Sequence, residues 1–180
     1  MKNKRALMVI DMQRGFLEEG YPLFCGKAAR RIIPPVHRLI ERELHEGTPI
    51  FFTADAHAPN DKEFEIYPPH CVRGSVEAQI IPELASYLDR ATLIESTRYS
   101  AFYETSLDDH LQKLGTKRLI FCGVCTDICV MHTVTDAYYR GYAVEVRRDC
   151  VASFDEEAHA FGLRHMETVL GARITQENPQ

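Results

Sequence analysis

The sequence predicts an α/β fold built on a mostly parallel sheet with helices on both faces. Three observations carry this. Short apolar runs recur along the whole chain, at residues 5–10, 49–53, 91–94, 118–122, 142–146 and 172–174. Segments with helical spacing or long polar stretches separate them, and strand alternating with helix selects a parallel sheet. The run at 5–10 is apolar at nearly every position, the pattern of a strand buried on both faces. A length of 180 residues, 45% hydrophobic and 26% charged, suits one domain spanning residues 1–180, and no repeat or linker interrupts it.

Residues 5–10 (RALMVI) form the first strand and lead into Asp11. That position is the carboxyl end of a strand, where open α/β sheets place their sites; the plainer reading is an Asp that caps the following loop. A helix is expected over 27–45, with Pro34-Pro35 disturbing its middle or marking its true start, and Glu46-Gly47 ends it. The second strand, 49–53, leads to Asp55. Residues 54–74 are polar and broken by Pro59, Pro68 and Pro69, and loops of this length are often functional. In an extended segment Asp55 and His57 project to the same side, and His70 follows in the same loop. One carboxylate and two imidazoles suit a divalent metal such as zinc, manganese or iron with open positions; alternatively they are surface polarity. A helical pattern follows at 76–88, then the third strand at 91–94. A helix at 106–114 places Leu107, Leu111 and Leu114 at helical spacing.

The stretch FCGVCTDICVMHTVTDA, 121–137, joins the fourth strand to a helix. With Thr126 as the N-cap, Cys129 becomes the third helical residue, where unpaired N–H groups and the helix dipole favour a thiolate. The alternative is an inert buried cysteine. Six cysteines occur, and Cys122 and Cys125 have the CxxC spacing of a redox pair or half a zinc site, without the second CxxC that zinc would want. After the fifth strand, Asp155 is expected to cap a helix that turns Ala158, Phe161, Leu163, Met166 and Val169 inward. A short strand, 172–174, precedes a polar tail, 176–180, expected to fray.

The formal charge of −5 argues against a nucleic-acid partner, and Arg30, Arg31, Arg38 and Arg42 read as a solvated helix face. No stretch resembles a signal peptide or a transmembrane span, which with the free-cysteine reading points to a cytoplasmic protein without membrane association.

Five motifs in order carry a resemblance: VIDMQRGF at 9–16, TADAH at 53–57, YPPHC at 67–71, RYSAF at 98–102 and GVCTDICV at 123–130. Together they resemble the isochorismatase-like cysteine hydrolases, and YPPHC is most similar to the nicotinamidase branch. The resemblance implies a six-stranded sheet in a three-layer α/β/α, Rossmann-like sandwich. It also implies a small-molecule amide substrate such as nicotinamide, hydrolysed through a thioester. It matches Asp11 to the family's aspartate and Cys129 to its nucleophile, with backbone N–H groups of Cys125 and Cys129 as the oxyanion hole. Asp55, His57 and His70 match its metal ligands, with zinc, manganese or iron bound. Phe16 and Tyr67 match pocket positions, Gln13 is a further pocket candidate, and a cis bond is implied at Val124–Cys125. A homodimer or homotetramer is the family's usual assembly, and Tyr138-Tyr139 is either interface or surface.

One departure stands out. Where the family carries a lysine, this chain has Ser96. A cation near the thiolate would lower its pKa and balance Asp11. In an extended strand Arg98 would project with Ser96 and could substitute; a polar hole holding water is the alternative. Two readings therefore compete: an amidase, and a metal- or ligand-binding protein on the same scaffold with weak or lost turnover. An isochorismatase-type hydrolase of another small substrate fits less well, because the metal triad belongs to the amidase branch.

Overall fold

The structure, a computed structural model, describes residues 4–176. The tail expected to fray lies, apart from Gln176, outside the described residues. In chain order the elements are β1 (Arg5–Ile10), α1 (Arg14–Leu17), α2 (Gly26–Arg30), α3 (Ile33–His45), β2 (Ile50–Asp55), α4 (Pro82–Ala85), β3 (Thr92–Ser96), α5 (Leu107–Lys113), β4 (Arg118–Val124), α6 (Met131–Tyr139), β5 (Ala143–Ala152), α7 (Glu156–Thr168) and β6 (Arg173–Thr175). A single π turn, Thr126–Val130, joins β4 to α6.

The six strands form one sheet in the order β3-β2-β1-β4-β5-β6, and every pairing is parallel. Side chains alternate across a strand, so β1, β2, β4 and β5 feed two cores. Leu7, Val9, Phe52, Ile120 and Cys122 pack on one face against Val36, Leu39 and Ile40 of α3 and Leu84 of α4. Ala6, Met8, Phe51, Leu119 and Phe121 pack on the other against Leu111 of α5, Val134 of α6 and Leu163 and Met166 of α7. The result is the three-layer α/β/α arrangement. β1 and β4 are adjacent at its centre, and the chain leaves them in opposite directions. At such a switch point the loops splay apart and leave a crevice beyond the strands' carboxyl ends.

Several local expectations change. The helix expected at 27–45 is two: α2 ends at Arg30 and Pro34-Pro35 open α3, where missing N–H groups cost nothing. The helix expected at 76–88 shrinks to α4 and a short 3-10 turn at Leu88–Arg90. Pro82 forces Ile81 to an extended ψ of 146°, and Ile80 instead pairs with Gln13. Asp155 caps α7, accepting from the N–H of Ala158. Leu163 and Met166 face inward as expected, but Phe161 and Val169 stand outside at 47% and 58% exposure and Gly162 takes the buried place. At Gly162 a Cβ would lie 3.1 Å from the Cα of Asp127, so α7 can approach the π turn only where a side chain is missing. Among the described residues no helix is long and apolar enough to cross a membrane. Tyr138 and Tyr139 are both exposed.

Candidate active site

The polar residues that follow the strands meet above the switch point. Asp11 comes one residue after β1, with φ at +47°, a left-handed conformation that aspartate tolerates better than most residues. Its N–H donates to Thr53 Oγ1 at 3.0 Å, and the Thr53 hydroxyl donates back to Asp11 Oδ1 at 2.5 Å. Asp55 ends β2, Ser96 ends β3, and Cys129 sits in the π turn after β4. One ligating atom from each of Asp11, Asp55 and Cys129 lies within 4.8 Å of the other two, all in buried residues.

Gly123 makes this convergence possible. Its φ is +114°, and a Cβ there would stand 2.0 Å from the carbonyl oxygen of Ile10. Only glycine lets β4 turn against the end of β1. The peptide bond Val124–Cys125 is cis, as the resemblance implied. The cap of the following turn is Cys125, whose backbone is extended and whose carbonyl accepts from the N–H groups of Ile128 and Val130. Thr126 is not the cap: its hydroxyl goes to His159 Nδ1 at 2.8 Å. Cys129 is therefore the fourth residue of the turn rather than the third of a helix.

The electrostatics also differ from the sequence expectation. Burial, then Asp11 and Asp55, push the Cys129 thiol well above its ordinary value, outweighing any gain from the turn. Burial and the negative charge of Asp55 likewise raise Asp11 above the usual carboxylate range, against hydrogen bonds from Thr53 and Cys129. Among the described residues no lysine or arginine is ion-paired with Asp11. Arg98 does not project with Ser96: β3 stops at Ser96, the alternation stops with it, and the guanidinium pairs with Asp61 at 3.0 Å. Ser96 is buried, its hydroxyl donating to the carbonyl of Arg98 at 3.2 Å.

Asp55, His57 and His70 bring one ligand atom each to within 4.8 Å of one another. Both ring nitrogens of His57 are buried without an aligned hydrogen bond, although Asp61 lies 3.2 Å from one and Asp55 3.6 Å from the other. Burial would lower the His57 pKa, but Asp55 and Asp61 outweigh it and raise it to about 9. Nδ1 of His70 donates to the carbonyl of Pro68 at 2.8 Å, which leaves Nε2 to face Asp55. Imidazole nitrogens that face carboxylates without an aligned hydrogen bond are what a divalent cation would satisfy; the residues fit a metal.

A narrow cavity opens beside these groups, lined among others by Phe16, Tyr67, Tyr99, Cys125, Cys129 and His70. Phe16 and Tyr67 thus line it as expected. Gln13 does not. It is fully buried beneath Asp55, its amide accepting from the Asp55 N–H and donating to the Asp55 carbonyl, both at 2.8 Å, and to the Ala78 carbonyl. Glu63, which sequence reasoning missed, lies 3.8 Å from His70 Nε2 and is raised to about 7 by burial and Asp55. Its signal was faint: an acidic pair, Asp61 and Glu63, in the long polar loop after His57. The CxxC reading fails, because Cys122 turns to the Met8 carbonyl while Cys125 meets Cys25, their sulfurs 3.4 Å apart.

Residues 5–178 match the family model of the isochorismatase domain. An uncharacterized isochorismatase family protein of Bacillus subtilis, PncA, is 32% identical over 182 residues, spanning 96% of this chain and 100% of that one. The crystal structure of nicotinamidase PncA from Bacillus subtilis is similar with a TM-score of 0.91 at 32% identity, over 96% of this chain and 99% of that one. The pyrazinamidase of Pyrococcus horikoshii, crystallised in complex with zinc, is similar at 0.88 and 32% identity, over 97% and 99%.

Proposed function

The chain belongs to the isochorismatase family of hydrolases, and from that premise we propose that it hydrolyses a small carboxamide, nicotinamide first, to the acid and ammonia. The observation that carries the reading is the meeting of Cys129, Asp11 and Asp55 beside a cavity whose wall also holds His70.

Asp11, in its carboxylate form, takes the proton of the Cys129 thiol, and the sulfur attacks the amide carbonyl carbon. The N–H groups of Cys125 and Cys129 receive the developing oxyanion. Asp11 returns its proton to the departing nitrogen, the C–N bond breaks, and an acyl thioester remains on Cys129. Asp11 then draws a proton from water, the water oxygen attacks the thioester, and the acid leaves as the thiol is restored. Asp55, His57 and His70 would hold a divalent cation, zinc being the first candidate. When bound, it supplies positive charge that anchors a ring nitrogen, or the water on it, and offsets the repulsion Asp55 exerts on Asp11. That offset matters here because Ser96 brings no cation. Phe16, Tyr67 and Tyr99 supply flat apolar walls for an aromatic amide.

The test is ammonia release from nicotinamide with zinc or manganese present. The unaltered protein should turn over, and Cys129→Ala should lower the rate at least about 10⁴-fold. Silence that Ser96→Lys breaks would overturn the reading in favour of a metal- or ligand-binding scaffold whose turnover went with the lysine. If metal binds but the unaltered protein and the Ser96→Lys variant both stay silent on a carboxamide panel, the substrate class is wrong.

A further inference from the structure

Cys25 and Cys125 stand 100 positions apart in sequence, yet their sulfurs are in contact at 3.4 Å. Neither has a place in the chemistry above through its thiol. Cys25 immediately precedes α2, and its N–H donates to the Phe16 carbonyl at 2.9 Å, which ties it to α1, whose Phe16 lines the cavity together with Leu23. Cys125 caps the π turn that carries Cys129, and it lines the cavity itself. Both are mostly buried, but each borders a different opening. Cys125 lines the substrate cavity, and Cys25 lines a separate depression with Ala28, Ile32 and Phe154. Each keeps a small exposed fraction, 5% at Cys125 and 4% at Cys25.

We propose that Cys25 and Cys125 form a dithiol that a peroxide oxidises to a disulfide, tying the segment after α1 to the π turn and switching the site off. The sulfur of Cys125 attacks one peroxide oxygen. An S–O bond forms, the O–O bond breaks, and hydroxide leaves with the thiol proton as water. The sulfur of Cys25 then attacks the sulfenic sulfur. The S–S bond forms, the S–O bond breaks, and a second hydroxide leaves as water with the Cys25 proton. Two electrons pass from the sulfurs to the peroxide, which becomes two waters. A reduced dithiol cofactor or protein thiol reverses the change by exchange. Making the bond draws the two sulfurs closer, and the Cys125 backbone moves with its side chain. The N–H of Cys125, assigned above to the oxyanion, moves off its position.

The disulfide is tested apart from turnover, in the Cys129→Ala protein, where the proposed nucleophile cannot be oxidised instead. Hydrogen peroxide in slight excess should lower the thiol count by two, and trypsin should release residues 15–27 joined to residues 119–140. Cys25→Ser in the same background should lose only one thiol, held as the Cys125 sulfenic acid, and release no joined peptide. An unchanged count in the first protein, or an equal loss in the second, would overturn the pairing. The switch rests on the amidase reading and is measured separately. Intact protein carrying only this disulfide should hydrolyse nicotinamide about a hundredfold more slowly than the reduced form, the order that a 1 Å misplacement costs, and recover with dithiothreitol. A mapped disulfide with undiminished rate would keep the bond and overturn the switch; a reduced form without turnover would overturn the amidase reading alone.

Discussion

Gln13 shows how much a site can owe to a residue that touches nothing reactive. Its amide closes on both backbone groups of Asp55, and a third bond ties it to Ala78. Removing it leaves a buried N–H and C=O without partners, at a cost of about 1–3 kcal/mol each. Gln13→Ala should therefore weaken zinc binding by about 10–100-fold, the range seen when groups supporting metal ligands are lost, and lower the melting temperature; competition with a zinc chelator measures the first. Binding unchanged from the unaltered protein would mean that β2 alone fixes Asp55. Arg98 is the reverse case. Its guanidinium is spent on Asp61 at a half-exposed position, so Arg98→Met should change amide turnover by no more than about twofold, as for other exposed ion pairs. A fall of a hundredfold would restore the arginine as the missing cation. Both residues show the limit of sequence at this scale. Asp11, Asp55, His57, His70 and Cys129 were readable as candidates from strand ends, an alternating pair and a turn, and only the five-motif resemblance joined them into one site. The partners of Gln13 and Arg98 were not, since they lie 42 and 37 positions away and no local pattern encodes them.

At the scale of elements, the site depends on how β4 leaves the sheet. Gly123 pairs with Ile10 in the ladder and turns at a φ of +114°. An added Cβ would meet the Ile10 carbonyl, a backbone group with nowhere to go, and would strain the dihedral as well. Gly123→Ala should cost about 3 kcal/mol or more, in the upper tail of single substitutions, read as a lower urea midpoint. Gly141, also at positive φ but with nothing within 4 Å, provides the control, where Ala should cost only about 1 kcal/mol for the dihedral alone. The strands were legible from their runs of apolar residues, and α3, α5 and α7 from helical spacing and caps. The helix expected at 76–88 failed because Ile80 and Ile81 point into the core from an extended segment; apolar spacing cannot tell that from a helix, and Pro82 was the better guide. The π turn was hidden for a related reason. One additional residue per turn moves Cys129 to the cavity while leaving the sequence indistinguishable from an ordinary helix start.

At the scale of the whole molecule, the switch point at β1 and β4 places the chemistry at the centre of the sheet, and stability must be secured toward its edges. β5 pairs with the three-residue β6, and the charges between them compensate for the short ladder. Glu145, 3% exposed, accepts from Arg173 and from Thr175, and Arg147 lies 3.2 Å away. Charged residues at 147–149 hid the true length of β5 from a reading based on apolar runs, because a strand near the edge can run on through side chains that pair with one another. Burial alone would raise the Glu145 pKa, but the hydrogen bond from Arg173 and the charge of Arg147 outweigh it and hold the carboxyl below its ordinary 4.5. A carboxylate whose folded pKa is depressed binds fewer protons folded than unfolded. Its contribution is complete above about 4.5 and disappears as pH falls through the lower folded value. Glu145→Gln removes the charge at every pH, so the difference between the two proteins isolates this one group. At pH 7 the variant should be less stable by about 2 kcal/mol, the worth of a hydrogen-bonded charged pair. The gap should narrow below pH 4.5, with both urea midpoints falling as other carboxylates protonate. A gap independent of pH would mean that Glu145 holds β6 by shape and hydrogen bonding alone, and that the guanidinium groups around it contribute no net charge stabilisation to this edge of the sheet.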